Sequence, residues 1–309
     1  MAMLFFYSSL YDICQTPDHV VAMKNSIDIG NLIAALPKDA TCYGYCTACG
    51  EVHYLTEGNS RKYALELMAE LEQNKRIDFH SPDPEPIFST DCLWEKRGGQ
   101  MFGVLECVDA DGKTVVLRAF SGQFNTRWQA EGWVPPTFDL DGYYQILPKI
   151  ESSVQQMTDE IESSQQKSDQ CKLKFEEAMR SGGRAAQKDC RRQMREAFKA
   201  LELSKKSRRT YSQSMLFVFQ DLYQLQNFKG DRHSILNVFY EDRGIPTGSG
   251  DCCAPKLLHA AAQSGLMPLG LTEFYFGKEN KSSTKYHKEF YVGCKNKCQP
   301  ILGYMLCGL

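Results

Sequence analysis

No apolar run in this sequence approaches the roughly 18 residues that a membrane-spanning helix needs, which removes transmembrane helices from the expectations and, with them, a membrane partner. Charge of one sign is also lacking, because 36 Lys and Arg stand against 38 Asp and Glu for a formal net charge of −2, so bulk charge names no partner. The opening "MAMLFFYSSLYDICQ" has no basic flank and no small-residue cleavage site, so no signal peptide is expected and a cytoplasmic location is. Cysteine, by contrast, is abundant at 13 residues. The number is odd and the spacings are unlike a small secreted scaffold, which points to reduced thiols. Cys14, Cys92 and Cys107 sit among apolar neighbours and read as small buried hydrophobes.

With 309 residues, 42% apolar and 24% charged, the chain has the make-up of a globular protein of about two domains. Three regions differ in pattern, at 1–147, 148–226 and 227–309, and together predict an α+β fold. In the first, a mixed α/β region, "QMFGVLECVDADGKTVVLRAFSG" (100–122) places two β-rich runs around the turn residues Asp109–Gly112 and predicts a hairpin. "NSRKYALELMAELEQNK" (59–75) predicts an amphipathic helix capped by Asn59 or Ser60, with Tyr63, Leu67 and Leu71 on one face. "GWVPPTFDLDGYY" (132–144) is irregular and stiffened by proline.

The middle region carries a heptad pattern. Ile150, Val154, Met157 and Ile161 step by four, three and four, and the register continues through Ser164 and Ser168 to Cys171 and Phe175. "RSGGR" (180–184) breaks the helix, glycine being a poor helix former. A second run then passes through Cys190, Met194, Ala197, Leu201, Tyr211, Met215, Val218, Leu222 and Leu225. Two helices joined by a glycine turn predict an antiparallel coiled-coil hairpin, weakly held where Ser164, Ser168, Ser204 and Arg208 interrupt the seam. Residues 165–209 hold 14 Lys and Arg against 6 Asp and Glu, a local excess of positive charge. Arg184, Lys188, Arg191, Arg192, Arg195, Lys199, Lys205, Lys206, Arg208 and Arg209 are the candidate phosphate-binding residues. A solvated helical face that merely happens to be basic remains the alternative, as does an arm for self-association or a protein partner.

In the last region two cysteine pairs stand at expected helix starts, in "GSGDCCAPKLLHAAAQSG" (248–265) and "HKEFYVGCKNKCQPILGYML" (287–306). Cys252, Cys294 and Cys298 could converge on one zinc ion and leave a fourth, open position, whereas Cys253 as a fourth ligand would close the site. A cysteine nucleophile at Cys252 or Cys253 with His259 or His287 as base is another possibility. "CYGYCTACGEVH" (42–53) spaces Cys42, Cys46 and Cys49 as C-x3-C-x2-C, a four-iron-cluster spacing. The chain lacks the repeated βα units of the corresponding barrel, so a reduced hairpin or a local zinc knuckle with His53 is expected.

"CCAPK" (252–256) resembles the zinc-binding half of the deaminase fold, in which a His or Cys, with Glu two positions on, opens one helix and a PC-x2-C pair opens the next. The resemblance implies a deaminase-like α/β unit with Cys252 as a ligand. Ala254 stands where the proton-carrying Glu belongs, and Gly293 replaces the Pro before Cys294, with the pair one residue wider. Glu273, in "LTEFYFG", is the candidate replacement for the missing acid. Over a longer span, "GGQMFGVLECVDADGKTVVLRAFSGQF", "WVPPTFDLDGYY", "SQSMLFVFQDLYQLQNFKG", "GSGDCCAPKLLHAAAQSGLMPLGLTEFYFG" and "FYVGCKNKCQPILGYMLCGL" resemble the amino-terminal extension of a subgroup of RluA-type RNA pseudouridine synthases. The synthase domain would follow residue 309, and its "HRLD"-type motif does not occur in this chain. The resemblance therefore implies an accessory module for structured RNA (rRNA or tRNA), not the isomerisation itself. The alternatives are a zinc-dependent deaminase or hydrolase using Glu273 and a coiled-coil protein-interaction module.

Overall fold

Asp109 turns the chain in the clearest hairpin of the sequence: its Oδ1 accepts hydrogen bonds from Asp111 N at 3.0 Å and Lys113 N at 2.9 Å, an Asx arrangement that pre-forms the turn. In the computed structural model, which describes residues 29–96, 98–241 and 244–309, strands β3 (Gln100–Val108) and β4 (Thr114–Phe120) flank that turn in antiparallel register. Cys14 and the opening segment lie outside the described residues. Before the hairpin come α1 (Ile29–Ala34), the strands β1 (Ala40–Cys46) and β2 (Glu51–Thr56), and α2 (Ser60–Asn74). After it come the long helices α3 (Leu140–Ser181) and α4 (Arg184–Asp221), then β5 (Gln224–Gln226), β6 (Arg232–Ser234) and α5 (Ile235–Val238). The chain closes with α6 (Cys253–Gln263), β7 (Met267–Phe276), β8 (Phe290–Tyr291) and α7 (Gln299–Met305). The fold is mixed α+β, with antiparallel sheets and one long helical pair.

The three-way division at 147 and 226 gives way to two units, residues 140–222 and the remainder of the described chain. The reason is the principal sheet, ordered β4-β3-β7-β8. The amino-terminal hairpin supplies β4 and β3, and the carboxyl-terminal region supplies β7 and β8, so neither region has a complete sheet alone. Alternation along the strands sends successive side chains to opposite faces. Phe102, Val104, Phe274 and Phe276 pack with Ala64, Leu67, Met68 and Leu71 of α2. Leu105, Cys107 and Leu271 pack with Leu257, Leu258 and Ala261 of α6. The sheet is thus sandwiched between α2 and α6. Cys107 is buried as expected and Cys92 half-buried.

Two glycines admit the close approaches this sandwich needs. A Cβ on Gly103 of β3 would fall 2.6 Å from Cys253 Cβ, so only glycine lets the start of α6 lie against the strand. Gly303 of α7 meets the backbone of Tyr45 and Cys46, where a Cβ would overlap outright, and packs that helix directly on β1. α6 is fastened further by Lys256, which is 1% exposed. Its Nζ donates to Phe120 O and Gly122 O, both at 2.9 Å, and lies over the Phe120 ring.

The other unit is a helical hairpin whose turn is the predicted glycine pair, with Gly182 N donating to Ala178 O at 2.8 Å. A two-residue turn leaves the helices no arrangement but antiparallel. Buried and half-buried positions follow the heptad through Ile150, Val154, Met157, Ile161, Ser164, Ser168, Cys171 and Phe175 on α3. On α4 they follow Cys190, Met194, Ala197, Leu201, Ser204, Arg208, Tyr211 and Met215. The last turn departs from the expected register, because Val218 is exposed and Phe219 instead packs on Tyr143 with ring centroids 5.5 Å apart. The helix also begins at Leu140 rather than 148 and carries Pro148 within it. No helix among the described residues is long and apolar enough to cross a membrane.

Replacing Lys256 by Met keeps the aliphatic bulk but leaves two carbonyls without their donor. Each unpartnered buried group costs about 1–3 kcal/mol, so Lys256→Met should lower unfolding stability by roughly 2–6 kcal/mol in urea titrations. An unchanged midpoint would show that the clamp contributes nothing.

Candidate metal centre

Cysteine 252 ends the glycine-rich loop as the N-cap of α6, with extended backbone at φ −69° and ψ 165°. The loop is held in place by Asp251, whose Oδ1 accepts from Tyr223 Oη at 2.7 Å and whose carbonyl accepts from Gly122 N at 2.7 Å. The second pair comes from the other side of β8. Residues 294–298 wrap into a turn in which Cys298 N and Gln299 N both donate to Cys294 O, at 3.1 and 3.2 Å. This turn folds the wide C-x3-C spacing back on itself, so the two sulfurs come together without a tight knuckle. The sulfurs of Cys252, Cys294 and Cys298 all lie within 4.8 Å of one another.

These three groups cannot all carry charge unaided. Hydrogen bonds from the Cys252 and Cys298 thiols hold Cys294 as thiolate, pulling its pKa down to about 2, with Lys297 N donating to the same sulfur at 3.3 Å. The donating thiols of Cys252 and Cys298 are correspondingly raised above the ordinary thiol value, with burial adding to the effect. The helix dipole of α6 favours an anion at Cys252. At Cys294 the backbone N–H groups of its turn serve instead, since α7 is only seven residues long. Such a trio could hold a metal ion, which would replace the shared protons, and with three protein ligands it would retain an open position.

Cys253 does not join them. It is buried against β3, with its Sγ donating to Met101 O at 3.4 Å, because successive residues at a helix start point some 100° apart. Neither histidine offered as a base is available: His259 Nδ1 accepts from Gln226 N at 3.3 Å and His287 Nδ1 from Gly277 N at 3.1 Å. His287 packs between Trp94 and Phe276. Neither ring contributes to the cysteine cluster.

Glu273 is 5% exposed on β7, and its Oε1 accepts a hydrogen bond from Ala254 N at 3.0 Å. Burial raises its pKa to about 7, and the negative Cys294 nearby adds to the rise, against the Ala254 hydrogen bond and the positive charge of Lys285. Lys285 is the residue that sequence reasoning missed. It lies in the β7–β8 loop, its Nζ sits 3.4 Å from the Tyr291 ring centroid, and its charge interacts with Glu273, Cys294 and Cys252. The loop's Asn280 hydrogen-bond network, with Thr284 N and Lys285 N donating to Asn280 Oδ1, holds the backbone at this residue. No sequence pattern carries that information.

The other predicted residues fall elsewhere. Cys42 is buried in the core beside Leu105 and Leu271, apart from Cys46 and Cys49, so the C-x3-C-x2-C trio is not one site. On α4, Arg184, Lys188, Arg191, Arg192, Arg195, Lys199, Lys205, Lys206 and Arg209 are exposed, whereas Arg208 sits half-buried in the seam. At 100° per residue the exposed nine fall within an arc of roughly 140°. Asp189 and Glu196 partly neutralise Arg192, and Glu202 does so for Lys205. Comparisons with protein-family models, curated proteins and solved structures return no match.

The raised pKa of Glu273 has a measurable sign. Its ordinary value is 4.5 and its folded value about 7, so between them the folded protein binds one proton more than the unfolded chain. Stability therefore falls as pH rises through that window. In metal-free protein, Glu273→Gln should flatten the decline in melting temperature between about pH 5 and pH 7, read by calorimetry. Equal slopes in both proteins would contradict the assignment.

Proposed function

We propose that Cys252, Cys294 and Cys298 hold one zinc ion and that Glu273 serves the water at its open position, making the chain a zinc-dependent hydrolase of the deaminase kind. The observation that carries the proposal is the hydrogen bond from Ala254 N to Glu273. The carboxyl group reaches from the strand to the helix position at which the resembling deaminases carry their own glutamate. Three thiolates suit zinc, and the ion would supply a water acidified enough to attack as hydroxide near neutral pH. Glu273, buried and tethered by Ala254 N, would take the proton from that water as a general base. The same carboxyl then returns the proton to the departing amine. The Ala254 N–H tethers one carboxyl oxygen throughout, and the positive charge of Lys285 offsets the excess negative charge of three thiolates around a dication.

A second reading is favoured by the basic arc on α4. In it the chain is an RNA-associated accessory module, as the resemblance to the RluA-type extension implies, and the metal centre is structural. The arc spans residues 184–209, roughly 38 Å of helix, a length that suits the spaced phosphates of structured RNA, which is held largely through backbone and shape. The two readings are compatible if the amine removed belongs to a base in RNA.

Zinc-loaded protein incubated with cytidine, adenosine and a structured RNA should release ammonia from at least one. Glu273→Gln should keep its metal while losing a factor of about 10²–10⁴ in rate. A wild-type protein that releases none from any of the three would sink the deaminase reading and leave the accessory one. For the arm, the triple variant Arg184→Glu, Arg191→Glu, Arg195→Glu should weaken binding to structured RNA and reduce its salt dependence. Binding indifferent to the triple change would reassign the hairpin to docking a protein.

A further inference from the structure

The second half of the 42–53 motif has a partner at the far end of the chain. Cys46 ends β1, Cys49 lies in the tight turn that follows, His53 is on β2, and Cys307 lies two residues beyond the end of α7. One donor atom from each of the four falls within 4.8 Å of every other. Cys49 Sγ is 3.0 Å from His53 Nε2 and 3.9 Å from Cys307 Sγ. The backbone N–H groups of Ala48 and Cys49 are directed at Cys46 Sγ, and Gly50 N closes the turn on Cys46 O at 2.9 Å. This is the knuckle geometry that C-x2-C spacing forms around a metal.

We propose that Cys46, Cys49, His53 and Cys307 form a second, closed zinc site whose role is structural. Four protein donors of types Cys3His complete a tetrahedron and leave no position for water, the feature that separates a structural zinc from a catalytic one. Three thiolates and a neutral imidazole leave one excess negative charge around the dication, and Lys229, hydrogen-bonded to the Cys307 side chain, supplies the compensating cation. The backbone around Cys307 is already organised for the task, since Phe228 N donates to Cys307 O at 3.0 Å.

The placement explains what the site is for. α7 is flanked by Cys298, in the first cluster, and by Cys307, in the second, so one short helix bridges two metal sites roughly 13 Å apart along its axis. Gly303 lays that helix on β1 with no side chain between them. Zinc at the closed site would pin the carboxyl-terminal end of α7 to the β1–β2 hairpin and thereby hold Cys298 in position for the first site.

The test is metal stoichiometry by native mass spectrometry after zinc saturation and removal of loosely bound metal. The wild-type protein should hold two zinc ions per chain, and Cys294→Ser should hold one. Cys49→Ser, at an exposed position where the change leaves no core cavity, should also hold one, and the double variant none. In Cys294→Ser loaded with cobalt, the remaining ion should show a tetrahedral thiolate spectrum that His53→Ala alters. A Cys294→Ser variant that holds none, or a Cys49→Ser variant that holds as much zinc as the wild type, would overturn the proposal. A Cys294→Ser variant that holds as much as the wild type would count against the first site alone. The outcome is independent of ammonia release, so failure here and failure of the deaminase reading are distinguishable.

Discussion

Like charges on sulfurs a few ångströms apart repel strongly in a half-buried setting, and this repulsion governs the region around Cys252. Hydrogen bonds from the Cys252 and Cys298 thiols to the Cys294 sulfur ease that repulsion. That solution is local and directional, and it requires the α6 start and the 294–298 turn to be held in register. A cation would relieve the same repulsion more completely and would release the protons that burial now retains on Cys252 and Cys298. The rest of the chain is arranged to bring these two segments together: the sheet carries α6, and β7 and β8 carry the chain round to the turn.

The sheet does this through contacts that depend on small residues as much as on large ones. Phe102, Phe274 and Phe276 fill the face toward α2, while Gly103 opens the other face so that α6 can approach. Glu273 is on that same face, and the close approach is what puts Ala254 N within 3.0 Å of its carboxyl group. A bulkier residue at 103 would displace the helix start and separate the acid from the cysteines together. Lys256 opposes such displacement with a buried ammonium that spends its hydrogen bonds on the end of β4 and the residues just past it.

Much of this was legible from the residues in order. The hairpin around Asp109–Gly112, the helix after Asn59, the glycine break at 182–183 and the helix start at Cys252 each follow from local chemistry: turn formers, caps, periodicity and breakers. The heptad seam was legible even through Ser164 and Ser168, because spacing survives a change of residue type. Its last step was not, since Val218 and Phe219 both satisfy an apolar pattern and only the packing on Tyr143 chooses between them. Cys252 and Cys298 could be nominated from their positions at helix starts, and Cys294 from its spacing to Cys298. Cys253 could not be separated from Cys252 without the orientation of α6 against β3.

What the order of residues decided by itself is therefore local: where elements begin and end, which faces are apolar, and where basic side chains gather on α4. What required the tertiary structure is every relation between distant segments. That β3 and β7 share a sheet, merging the two ends of the chain into one unit, depends on strand pairing across more than a hundred intervening residues. Lys285 reaching the field of Glu273, and Cys307 meeting Cys46, Cys49 and His53, depend on loop hydrogen bonds and on a helix laid over a glycine. Sequence spacing encodes neither, because donors that share a metal need only be neighbours in space, and pairing and packing alone determine which residues become neighbours.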